Sequence, residues 1–310
     1  MIDSVLWALG GLARGLVNIW VALSDPGAWL SWLPPFAAGE QMSAAQKEAL
    51  ARFIYFGASV ELLFSVLALA ILVTAAGLVW RPVLWRAAWG IEALANSVGR
   101  VIAWGGLIMV LQQVMIVFLQ RIFRVSEITF SPFGLPFTRD LSWWSEELKL
   151  YNAAIVALCC AYTFVQGGHV RVDLFYAGMR HRAKRVVDML GSLLFTLPLM
   201  LVIWFYGWFF LWRHMVTPKL SATDTLELML RKSRLLKDNV ETIAFSPNGF
   251  DQYWLFKVLM VALAGMMILQ AFGFFWRSLA EFLEGEGSVD RGLDRDRLAD
   301  VTGAPAGMSG

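Results

Sequence analysis

Apolar runs separated by short polar stretches occupy most of the chain, and their lengths suit the hydrocarbon thickness of a bilayer. The run at 148–165 carries its direction at both ends. A tryptophan-rich acidic lead (Trp143, Trp144, Glu146, Glu147) comes before it, and a polar stretch (Gln166, Gly167, Gly168, His169, Arg171, Asp173) follows and opens onto a basic loop. Aromatic residues gather at the membrane-water boundary while Lys and Arg stay on the cytoplasmic side, so this run reads as one span directed inward.

The other runs are placed relative to it. Residues 4–23 contain nine Val, Leu or Ile residues but also Arg14 and Asn18, four apart on one helical face. At roughly −0.3 to −0.6 kcal/mol each, the apolar residues offer about −3 to −5 kcal/mol, against about +2.5 to +3.5 for a central Arg. Either this segment spans with Arg14 and Asn18 turned to a protein neighbour, or it lies in the interface; spanning is the favoured reading. Gly11 and Gly15 would allow a close helix contact. Residues 25–52, with Pro26, Pro34, Pro35, Trp29 and Trp32, read as an external connection ending in a short polar helix. Residues 54–80 form a span with Glu61 well off centre.

Over 81–100 the apolar residues Trp85, Ala88, Trp89, Ile91, Ala95 and Val98 recur at helical spacing between Arg86, Glu92, Asn96 and Arg100. This predicts an amphipathic arm in the membrane plane leading into a span at 101–123. Gln112, Gln113 and Gln120 in that span need partners, and packing against another subunit is favoured over a polar path. Residues 189–212 make a further span, in which Pro198 predicts a kink and Trp204, Trp208 and Trp212 resemble an interfacial belt. Residues 213–251 are a polar connection, 253–276 the last span, and the polar tail from Glu281 is expected to be disordered.

Loop charges orient these spans. Residues 81–100 hold three Arg against one acid, and 167–185 hold five Lys or Arg against Asp173, so both are cytoplasmic. The predicted fold is an all-α polytopic membrane protein with about six transmembrane helices, or five if 4–23 is interfacial, plus amphipathic interfacial arms. Both ends lie inside.

Composition narrows the function classes. The chain has 310 residues, 58% hydrophobic, 16% charged, with 15 Trp and a formal charge of +2, which excludes an ordinary soluble globule and gives no case for nucleic acid. Adjacent Cys159 and Cys160 fit neither a disulfide framework nor a metal site. No catalytic, substrate-binding or metal-ligating set and no cofactor is expected.

The order Trp144-Ser145-Glu146-Glu147, a span, and then Gly167-Gly168-His169-Val170-Arg171-Val172-Asp173 resembles the small permease subunit (DctQ-type) of TRAP transporters, the tripartite ATP-independent periplasmic transporters. The resemblance covers about 91–284, and the preceding residues look like the N-terminal extension of longer small subunits. It implies three regions: an extension at 1–80 with one or two spans, a four-helix core with its arm at 81–284, and a disordered cytoplasmic tail at 285–310. It also implies a multi-pass protein of the bacterial inner membrane, with a cytoplasmic C-terminus. There it would brace a large permease subunit (DctM-type), for sodium-driven uptake of an organic acid delivered by a periplasmic substrate-binding protein (DctP-type). Membrane lipids are the remaining partner.

Trp144, Glu146, Glu147, Gly167, Gly168, His169, Arg171 and Asp173 are then the family motif and the expected subunit interface. Their physical roles would be a helix turn at the glycines, macrodipole and partner-cation contacts for the glutamates, and pairing for Arg171 and Asp173. The alternatives are a self-sufficient small carrier or channel, and a haem-bearing membrane anchor of a respiratory complex. The anchor would need histidines at bilayer depth, whereas His169, His181 and His214 lie at span ends or in loops.

Overall fold

The computed structural model describes residues 2–130, 137–167, 176, 178–219, 221, 223–238 and 248–296. Helix α1 (Ile2–Ser24) is followed by the short α2 (Gly27–Leu30) and α3 (Leu33–Ala38), then α4 (Ala44–Gly57) and α5 (Val60–Val79). Helix α6 (Pro82–Phe118) ends in a π turn (Leu119–Phe123), and a hairpin of β1 (Glu127–Phe130) and β2 (Phe137–Asp140) leads to α7 (Leu141–Val165). Helix α8 (His181–Gly191) continues through a π turn (Ser192–Thr196) into α9 (Leu197–Met215). Strand β3 (Val216–Thr217), α10 (Leu226–Ser233), β4 (Lys237–Asp238) and α11 (Trp254–Glu284) complete the order. Six of these segments are long and apolar enough to cross a membrane, as the hydropathy pattern predicts.

Boundaries depart from the prediction at three places. The arm at 81–100 and the span at 101–123 are one unbroken helical segment of 42 residues, about 63 Å long at 1.5 Å per residue. Pro82 at its first turn suits a helix start, and nothing between it and Phe123 breaks the helix. Its first half is amphipathic and packs on α11, α7 and α5, with Leu84, Trp85, Ala88, Ala95 and Gly99 buried.

The second departure is at Gly57–Ser59, where the predicted span from 54 divides into α4 and α5. Ser59 starts α5 by accepting the Leu62 N–H, and Glu61 lies exposed in its first turn, where an acid complements the helix dipole. The carbonyls of Ile54 and Gly57 that α4 leaves open are taken by the indoles of Trp208 and Trp204, at 2.9 and 2.8 Å. Trp208 and Trp212 therefore belong to a core cluster with Trp32, Leu50 and Ile54, not to a lipid belt. Only the other side of α9, with Tyr206 and Phe210, is exposed.

The third departure is the tail. Residues 285–296 are described and run back over α6 and α7, where hydrogen bonds stand in for the apolar contacts that their composition lacks. Residues 297–310 lie outside the described residues. The kink expected at Pro198 takes the form of the π turn before it. The Leu197 N–H reaches back to Ser192 O, and the shifted ladder accommodates a residue that has no N–H of its own.

Small residues set the helix spacing. A Cβ on Gly99 would lie 2.3 Å from Tyr162, and one on Gly15 would lie 2.8 Å from the Phe64 carbonyl. Helices α6 and α7, and α1 and α5, approach at these positions as closely as backbone permits. Trp276 on α11 reaches α5 by donating to Thr74 Oγ1 at 3.0 Å.

Candidate functional site at the two ends of α7

The first turns of α7 are tied to two other helices. Trp143 Nε1 donates to Asp251 Oδ1 at 3.0 Å, and its ring lies 5.2 Å from that of Phe250. Glu146 Oε2 accepts the Phe250 N–H at 2.9 Å, and Ser142 Oγ donates to Asn248 O at 3.0 Å. These contacts hold α7 to the approach of α11. Glu147 faces the other way: its Oε2 accepts from Gln112 Nε2 at 3.1 Å, and that same amide donates to Trp144 O at 3.1 Å. The partner of Gln112 is therefore α7 of the same chain. Gln113 and Gln120 are exposed on α6.

At the other end, Gln166 closes α7 against the returning C-terminal segment. Its Nε2 donates to Asn96 Oδ1 and to Asp294 O, both at 3.1 Å, and its Oε1 accepts the Asp296 N–H at 2.8 Å. Asn96 donates to Asp294 O at 2.8 Å. Asp296 also accepts from Arg100 and Tyr162 at 2.6 Å each, and these donors hold its carboxyl below the usual carboxylate range. Gly167 turns the chain with φ +73°, a conformation that side chains resist, and a Cβ there would lie 3.8 Å from Arg295. Gly168, His169, Arg171 and Asp173 lie outside the described residues.

The two parts of the motif lie at opposite ends of α7, as the sequence order implies. Trp144, Glu146 and Glu147 are separated from Gly167 by most of α7, whose 25 residues span about 37 Å.

A buried ion network joins α6, α8 and α11 beside the Gln166 clamp. Arg277 grips both oxygens of Glu92, with Nε at 2.5 Å and Nη2 at 2.6 Å, and each side chain is 6% exposed. A fork on two carboxylate oxygens is the strongest arrangement open to this pair. Glu281 lies 3.7 Å from Arg277 and 2.7 Å from Arg185, which itself donates to Asp188 at 3.0 Å. Tyr176 OH donates to Asp188 at 2.8 Å. The Arg277 guanidinium also stacks over Trp85, 5.4 Å from the ring centroid, while Trp85 Nε1 donates to Glu284 at 2.8 Å.

The network borders a cavity of about 260 Å³, lined in part by Gln270, Phe274 and Leu293. Each of Glu92, Glu281 and Asp188 faces a guanidinium, and the pairs cross three helices, so the network's chemical work is to fix their relative positions. Glu92 and Asn96, and Arg277 and Glu281, each stand four apart in weakly charged helices. That spacing was a readable sign of a polar seam.

Within the apolar stretch of α1, Arg14 has no such compensation among the described residues. Arg14 and Asn18 are exposed on α1, and the Arg14 Nε donates only to Gly10 O of its own helix, at 3.1 Å. No ion pair joins Arg14 to an acid among the described residues.

Residues 114–231 match the family model described as Tripartite ATP-independent periplasmic transporters, DctQ component. No curated protein and no solved structure gives a match. The resemblance carried by the motif order is borne out over a shorter stretch than the 91–284 expected, from the last five residues of α6 through most of α10, with the N-terminal extension outside it. The Glu92–Arg277 pair and α11 also fall outside the matched residues.

Proposed function

We propose that this chain, DctQ-type over residues 114–231, is the small membrane subunit of a TRAP transporter and acts as a brace for the large permease subunit (DctM-type). The family is a transporter component, and six apolar helices make the chain a multi-pass membrane protein. The finer reading is secondary active uptake of an organic acid, driven by sodium, with the solute delivered by a periplasmic substrate-binding protein (DctP-type). The location is the bacterial inner membrane, with the C-terminus in the cytoplasm.

The observation that carries the bracing role is how the buried polar groups are used. Glu92, Arg277, Glu281, Arg185, Gln112 and Glu147 pair with one another across helices, which gives a bundle of fixed geometry. A static support needs that rigidity, whereas a carrier needs polar groups that exchange partners between two states. Helices 81–284 supply the brace in this reading and 1–80 an added docking region. Within the motif, Glu146 and Glu147 shape the α7 end that faces the partner. Gly168, His169, Arg171 and Asp173 remain the proposed interface at its other end.

The test is co-expression with candidate large permeases, followed by reconstitution. One permease should co-purify in fixed ratio, and uptake should require that permease together with an external binding protein. Uptake by this chain alone in vesicles would defeat the proposal.

A further inference from the structure

We infer that α1 is a docking helix whose Arg14–Asn18 face receives a transmembrane helix of the large permease subunit carrying a carboxylate at the same depth. This rests on the function proposed above and adds the surface and the chemistry of the contact. Helix α1 is long and apolar enough to cross the bilayer, with Leu6–Ser24 as its apolar stretch. Arg14 lies eight residues from the start of that stretch and ten from its end, about 12 and 15 Å at 1.5 Å per residue.

A guanidinium at that depth is costly against hydrocarbon and is found facing protein or water, paired with an acid. Here it faces neither. Arg14 and Asn18 are exposed, with Val17 at 59% and Val21 at 57% on the same flank, and among the described residues Arg14 hydrogen-bonds only to the backbone one turn away.

The α5 contact does not cover this flank. It is made by Gly11 and Gly15, which meet Phe64 and Ser65, and by Trp7, whose ring lies 5.1 Å from that of Phe64; Ser65 Oγ donates to Gly15 O at 3.2 Å. Glu61, one turn from Ser65, is the nearest acid in sequence to that contact, and it does not pair with Arg14. The occupant must therefore bring its own carboxylate to Arg14 and a hydrogen-bonding group to Asn18. A second copy of this chain does not satisfy that need. Two copies meeting here about a two-fold axis would set Arg14 against Arg14.

The experiment purifies the full-length chain with its large permease in detergent and compares wild type with Arg14→Leu, Arg14→Lys and Glu61→Gln. A photo-reactive side chain at position 18 reports the neighbour. Arg14→Leu should lower the recovered complex at least fivefold without changing the Tm of the isolated chain, Arg14→Lys should keep at least half of it, and Glu61→Gln should keep all of it. The adduct from position 18 should map to a permease helix bearing Asp or Glu.

An undiminished complex with Arg14→Leu, or adducts only to lipid or to a second copy, would overturn this inference and leave the bracing role standing. A Tm lowered equally by Arg14→Leu and Glu61→Gln would show that the pair is satisfied within the chain, which also overturns it. Failure of the wild-type chain to co-purify would remove the bracing role and this inference together.

Discussion

Two regions of this molecule join helices by opposite means. The α6–α7–α11 core uses buried polar groups: a forked Glu92–Arg277 pair, the Gln112–Glu147 bond and the Gln166–Asn96 clamp. The α1–α5 pair relies on close backbone approach at Gly11 and Gly15, with Ser65 as its one hydrogen bond across the contact among the described residues. The first method fixes register, because each polar group has few acceptable partners. The second fixes distance and leaves the outer face of α1, with its Arg14, open. A brace that must hold its own shape while offering a surface to a neighbour has use for both.

The comparison breaks most sharply at Arg277. Arg277→Ala leaves Glu92 buried without its cation, which should cost on the order of 3–5 kcal/mol and lower the Tm in detergent well beyond any change in α1. Replacing both partners by Leu and Met should recover much of the loss. A small effect of the single change would mean that the pair is hydrated and that the core is held by packing alone.

Packing is tested at Gly57, where a Cβ would lie 2.1 Å from Trp208. Gly57→Ala should cost about 1–3 kcal/mol by overpacking and should displace Trp204 and Trp208 from the carbonyls they cap. Tryptophan fluorescence during unfolding would register it. Gln112→Leu removes two hydrogen bonds between α6 and α7, and should cost about 1–2 kcal/mol at most, since such bonds in membrane helices are individually modest.

The smallest effect is expected outside the spans, at Asp224. Burial works against its charge, but Lys232 at 2.6 Å and the Ser221 N–H at 3.0 Å hold its carboxyl below the usual range. The unfolded chain, with a carboxyl near the ordinary value of about 3.9, then binds protons before the folded one does. The stabilisation is complete above that value and is lost as pH falls toward the lower folded value. Melting curves of wild type and Asp224→Asn should therefore differ by a constant amount near neutral pH and converge in acid. A gap that stays constant down to acid pH would show that the Lys232 contact contributes nothing.

Much of this was written in the sequence. Apolar run length gave six membrane helices because nothing else of that length and composition can satisfy backbone groups in hydrocarbon. The motif order from Trp144 through Asp173 led to the family that the match over 114–231 bears out. Gly11, Gly15 and Arg14 also stood out from local pattern alone, because a small-residue pair or a charge in an apolar run is visible without knowing its neighbours.

The pairings were settled only by tertiary structure. Helical periodicity says that Glu92 and Arg277 share a polar character, but not that helices 185 positions apart bring them within 2.5 Å. It marked Trp204, Trp208 and Trp212 as boundary aromatics, and only the break after α4 shows that two of them close its open carbonyls. The segment 285–296 had the composition of a loose tail, and the hydrogen-bond donors of Asn96, Arg100 and Gln166 give it a place. Hydropathy measures what each residue would gain from leaving water on its own. Which polar group meets which depends on where the helices cross, and that is a property of the packed bundle.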